Sequence, residues 1–79
     1  MSYIETVKKW LYDLLKKENR PLKLKELCLR ARSDRETNQK EYYDLTGERI
    51  VIAADELIRE YKVRSVIIDN DEWALELRK

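Results

Sequence analysis

The sequence predicts an α+β fold, mainly α, in which three or four helices lead into a C-terminal β-hairpin. Three observations carry that expectation. Apolar residues recur at helical spacing from Ile4 to Leu15, from Leu24 to Ala31 and from Ile50 to Tyr61. Beyond Tyr61 the period changes to alternation, with Trp73, Leu75 and Leu77 interleaved by Ala74, Glu76 and Arg78. A length of 79 residues with one Gly and one Pro gives one domain, spanning residues 1–79, with few flexible loops.

The first helix is expected to start at Tyr3, because Ser2-Tyr3-Ile4-Glu5 has the spacing of a capping box. Ile4, Val7, Leu11, Leu14 and Leu15 form its stripe, flanked by Trp10 and Tyr12 on opposite sides. Asn19-Arg20-Pro21 should end it, since the residue before a proline disfavours the helical region. Leu22 to Leu24 reads as a short extended piece.

Leu24, Leu27, Cys28 and Ala31 give the inward face of a second helix, which leaves Leu29 outside among Lys25, Arg30 and Arg32. Cys28 is expected as a small buried core residue. Ser33 to Leu45 is ambiguous between a short polar helix and a structured loop. Ser33-Asp34-Arg35-Glu36 repeats the capping-box spacing and would start such a helix, running through Tyr43.

Thr46 is expected to cap a third long helix. Its inward face is Ile50, Ala53, Ala54, Leu57, Ile58 and Tyr61, and its outward face is Glu48, Arg49, Ile52, Asp55, Glu56 and Arg59. Val63 to Ile68, a turn at Asp69-Asn70-Asp71-Glu72, and Trp73 to Leu77 complete the hairpin.

Charge is high and unevenly spread. Charged residues make up 42% of the chain and apolar residues 43%, enough for a globular core. The net charge of +1 conceals +5 over residues 1–35 and −4 over residues 36–79. Such a split matters for partners more than its sum does. A core this small contributes about 3–5 kcal/mol, so self-association or a partner would add to stability.

Several function classes lose support. There is no His to act as a base near neutral pH, and one Gly cannot build a phosphate-cradling loop. Cys28 is a single cysteine, without a His partner for nucleophilic chemistry or the ligand set of a zinc site. Asp69, Asp71 and Glu72 lack the spacing and glycine of a calcium loop, and turns favour Asp and Asn in any case. The expectation is a non-enzymatic protein without metal or cofactor. No apolar run approaches the length of a membrane span, and the cysteine usage suits a reducing cytoplasm.

The order helix, short strand, helix, helix, two-stranded wing resembles the winged helix-turn-helix superfamily. The stretch Arg49-Ile50, Ala53, Glu56-Leu57, Arg59-Glu60, running directly into the hairpin, is most similar to small phage and mobile-element members. That resemblance implies double-stranded DNA as partner and a role in transcription or replication control. Lys23, Lys25, Arg30, Arg32, Arg35 and Arg59 would then meet phosphates, and Arg49 would reach a base edge.

Two features depart from the pattern. About a dozen residues separate Arg32 from Thr46, where a helix-turn-helix has a turn of roughly three or four. The outward face of the third helix and the wing tip are acidic, which phosphates repel. The alternative is a protein-interaction module or inhibitor on the same fold. It would use Leu29, Ile52, Asp55, Glu56, Tyr42 and Tyr43, with Tyr3 and Trp10 as further aromatic surface. The charge asymmetry also suits head-to-tail self-association, including a homodimer.

Overall fold

The computed structural model describes residues 3–42 and 45–78; Tyr43 and the Ser2 cap lie outside them. The fold is α+β and mainly helical. The elements are α1 (Tyr3–Glu18), β1 (Leu22–Lys23), α2 (Leu24–Thr37), α3 (Gln39–Tyr42), α4 (Gly47–Arg59), β2 (Val63–Ile68) and β3 (Glu72–Leu77).

α1 buries Val7, Leu11, Leu14 and Leu15 as its spacing predicts. Asn19 closes it in the left-handed region at φ 51°, its N–H bonding the Leu15 carbonyl at 2.9 Å, and Pro21 follows. Trp10 corrects the expectation of aromatic surface: it is only 7% exposed. Its indole Nε1–H donates to Asp34 Oδ2 at 2.7 Å, so the ring bridges α1 to α2.

α2 buries Leu27 and Ala31 and leaves Leu29 60% exposed. Glu26 accepts the Lys23 N–H at 3.2 Å, the carboxylate half of a capping box. Cys28 is half-buried rather than fully buried. A Cβ added at Gly47 would stand 3.3 Å from its Sγ, so a larger residue there would crowd the entry of α4 against α2.

Ser33 to Leu45, read as either a short polar helix or a structured loop, is helical in two pieces: α2 runs on through Ser33 to Thr37, so no new helix starts at Ser33, and α3 follows at Gln39–Tyr42. Two side chains explain the continuation. Asp34 extends the inward face to Trp10, and the Arg35 guanidinium donates to the Leu45 carbonyl. Both contacts are made from helical positions of α2. Asn38 ends α2, and α3 is a single turn leading to buried Leu45.

Thr46 caps α4 as expected, its hydroxyl accepting the Arg49 N–H at 3.3 Å. Ile50, Ala53, Ala54 and Leu57 are buried, and α4 packs mainly on α1. The two alanines allow the helices to approach closely. Tyr61 breaks the expected inward face: it is 72% exposed. The reason lies in the helix terminus. Tyr61 sits at φ 60°, its N–H bonding Ile58 O, while the Lys62 N–H bonds Leu57 O. That is a Schellman closure with Tyr61 where glycine is usual, and it swings the ring off the helix onto Arg78, 5.4 Å away.

The hairpin has the expected strands but belongs to a three-stranded antiparallel sheet of order β1-β3-β2. Leu22 pairs with Leu75, and Lys23 with Ala74. On the other side of β3, Val63 pairs with Leu77, and Ile68 with Glu72. The turn is thus Asp69, Asn70 and Asp71, all at positive φ, and Glu72 is already in strand. Val63 and Leu75 join the helical core. Ala74 points to the opposite face, as alternation predicts, yet is fully buried. As the middle strand, β3 has neighbours on both sides, and their longer side chains cover the small one.

Candidate interaction surface

The residues proposed from sequence as phosphate contacts lie in different settings. Lys23 is spent on the sheet, where its Nζ contacts Glu72 at 2.8 Å and Asp69 at 2.9 Å. Those two carboxylates, Glu72 first, hold its pKa well above the usual lysine value. Arg35 is spent on the Leu45 carbonyl. Arg59 pairs with Asp55 at 3.0 Å one turn away on α4. Arg49 is half-buried and already engaged within the protein.

The remaining three bases are all on α2. Arg30 lies 3.9 Å from Glu18, Arg32 lies 3.6 Å from Glu36, and Lys25 is exposed with no ion pair among the described residues.

The wing tip carries no compensating base besides Lys23. Asp69 and Glu72 both face that ammonium, and Asp71 is exposed. Their oxygens therefore serve an ion pair that ties the turn to β1. Among the described residues no group of three or more His, Cys, Asp or Glu could hold a metal ion. No described helix is long and apolar enough to cross a membrane.

The residues proposed for protein contact divide more clearly. Leu29 and Ile52 are exposed, at 60% and 42%, and Asp55 is exposed beside Arg59. Tyr42 is half-buried and packs on the core. Glu56 is half-buried, with an Oε2 that has no hydrogen-bond partner among the described residues. The Tyr3 side chain and Tyr43 lie outside the described residues.

Two exposed apolar residues were missed by sequence reasoning. Val51, 47% exposed, stands beside Ile52 on α4. It lies off the buried arc of Ile50, Ala53, Ala54 and Leu57, so its spacing could have placed it outside. Ile67 is 64% exposed on the face of β2 that carries buried Val63. Alternation alone assigns it to the core, yet on the edge strand β2 it stays exposed while its cross-strand partner Trp73 packs on the core.

Ion pairs elsewhere tie the elements together and set the response to pH. Arg20 at 2.8 Å, and then the Lys23 N–H, lower the pKa of Glu26 below its ordinary 4.5. Lys8 lowers that of Glu60 in the same way, joining α1 to the end of α4. The Lys8 and Lys23 amines are raised above 10.5 by Glu60 and by the turn carboxylates.

The carboxylate contributions are present above the unfolded value and are lost as pH falls through the lowered folded values. The amine contributions are present below 10.5 and are lost as pH rises through the raised ones. Melting temperature should therefore be flat between about pH 5 and pH 10 and fall on both sides. Glu26→Gln should melt lower on the plateau and lose less on acidification. Equal acid sensitivity in the variant would remove Glu26 from the account.

No family model, curated protein or solved structure matches the chain.

Proposed function

We propose that the protein is a non-enzymatic winged-helix module that binds another protein through the outer faces of α2 and α4. The winged-helix reading is supported by the element order and by a C-terminal hairpin whose β3 pairs with β1. The observation that carries protein over nucleic acid is the outer face of α4. Glu48, Ile52 and Asp55 share that face, all exposed, with Val51 beside them. Acidic side chains around exposed aliphatic ones repel phosphate and suit a partner whose surface is apolar and basic.

A second reading, binding of double-stranded DNA, is favoured by one specific observation. Lys25 and Arg32 share the outer face of α2 and Arg30 lies round its flank, all with only weak or no internal pairing. Three phosphate contacts imply a slope of log affinity against log salt of about −2.7, roughly a 40-fold loss between 50 and 200 mM salt.

Duplex titration across that range separates the two. Under the protein reading, the duplex gives no saturable binding at low salt, while affinity capture by the wild type is lost in the Ile52→Asp variant. A 40-fold salt loss abolished by Lys25→Glu plus Arg30→Glu would instead establish DNA binding and displace the protein reading.

A further inference from the structure

The outer faces of α2 and α4 carry the same spacing with opposite charge. On α2 the exposed stripe is Lys25, Leu29, Arg32, Glu36; on α4 it is Glu48, Ile52, Asp55, Arg59. Both follow i, i+4, i+7, i+11, which returns to one side of a helix and spans about 16 Å. Laid parallel, the stripes match at every position. Lys25 meets Glu48, Leu29 meets Ile52, Arg32 meets Asp55 and Glu36 meets Arg59. Antiparallel apposition still matches Lys25 with Asp55 and Arg32 with Glu48, but leaves Glu36 and Arg59 without opposites.

Within each stripe the charges are already aligned along the helix. Arg32 reaches Glu36 at 3.6 Å and Arg59 reaches Asp55 at 3.0 Å. All eight side chains are exposed, and these two surface pairs, weak as exposed ion pairs are, can exchange partners across the contact. The apolar centre of each stripe is exposed too, Leu29 at 60% and Ile52 at 42%.

We infer that the protein self-associates, the α2 stripe of one copy docking on the α4 stripe of another. This rests on the proposed protein-binding function and names its partner as a second copy of this chain. The contact joins two different surfaces, so it is heterologous: it closes into a twofold pair only if both stripes engage at once, and otherwise propagates head to tail. Exposed charge pairs around one aliphatic contact make it weak and salt-sensitive.

Sedimentation equilibrium over a concentration series at low salt tests the inference. The wild type should rise above the 9.6 kDa monomer and return toward it at high salt. Glu48→Lys plus Asp55→Lys should weaken association at least about tenfold, and so should Lys25→Glu plus Arg32→Glu. Mixed together, the two double variants should associate again, because each supplies the stripe that the other has reversed. All four positions are exposed, and melting curves verify that the variants fold.

A wild type that stays monomeric at millimolar concentration overturns the inference. So does a mixture that associates no better than its components, or association that neither reversal weakens. If self-association fails while Ile52→Asp still abolishes capture of another protein, the broader protein-binding function stands without it. If Ile52→Asp leaves capture intact, that function falls as well.

Discussion

Leu11→Ala should cost about 3 kcal/mol of folding stability, within the roughly 2–5 kcal/mol range for such truncations. Leu11 is fully buried on α1 among core residues of α1, α4 and the sheet, with no second core to share the loss. A domain of 79 residues has about 4–12 kcal/mol in total, so one truncation removes a large fraction of it. The melting temperature should fall by roughly 12–24 °C. Leu29→Ala is the matched control, because Leu29 is 60% exposed and its loss should stay within about 0.5 kcal/mol. Denaturant titration of the two variants reads the contrast directly. Equal costs at the two positions would contradict the assignment of Leu11 to the core.

Trp10 should be nearly as sensitive, and two substitutions separate its contributions. Trp10→Ala removes both the ring packing and the N–H, for about 3–5 kcal/mol. Trp10→Phe keeps most of the packing but removes the bond to Asp34, for about 1.5–3 kcal/mol. Because that bond joins α1 to α2, Asp34→Ala combined with Trp10→Phe should cost clearly less than the sum of the single changes. Additive costs would show that the indole stabilises by packing alone.

The fold was legible in the sequence where one local period repeats. The stripe of α1, the Thr46 cap and the two hairpin strands lie where spacing and capping chemistry put them. What spacing could not supply was the reach of side chains between elements. Nothing local to Ser33 reveals that Asp34 answers Trp10, or that Arg35 holds Leu45, yet those contacts prolong α2 past an apparent start signal. Tyr61 fits the helical period, but the helix closes just before it.

The candidate surface was half legible. Leu29 and Ile52 could be placed outside by counting. Lys23 and Arg35 read as free bases because their partners are distant in sequence, at the wing turn and at Leu45. Charge alone does not distinguish a cation facing water from one already committed to a neighbour.

The chain turns its corners almost without glycine. Asn19, Tyr61, Asp69, Asn70 and Asp71 occupy the left-handed region, while Gly47, the single glycine, lies within α4. A side chain at each bend narrows the angles available there, where glycine would leave them wide. The ends of α1 and α4 and the wing turn are thus stiff elbows, while packing on the shared core sets α2 against α4. Under the proposed protein-binding function, a partner would meet a finished template instead of a surface it must mould. Docking then spends little entropy on ordering the protein, so even a small contact area can give rapid, reversible recognition.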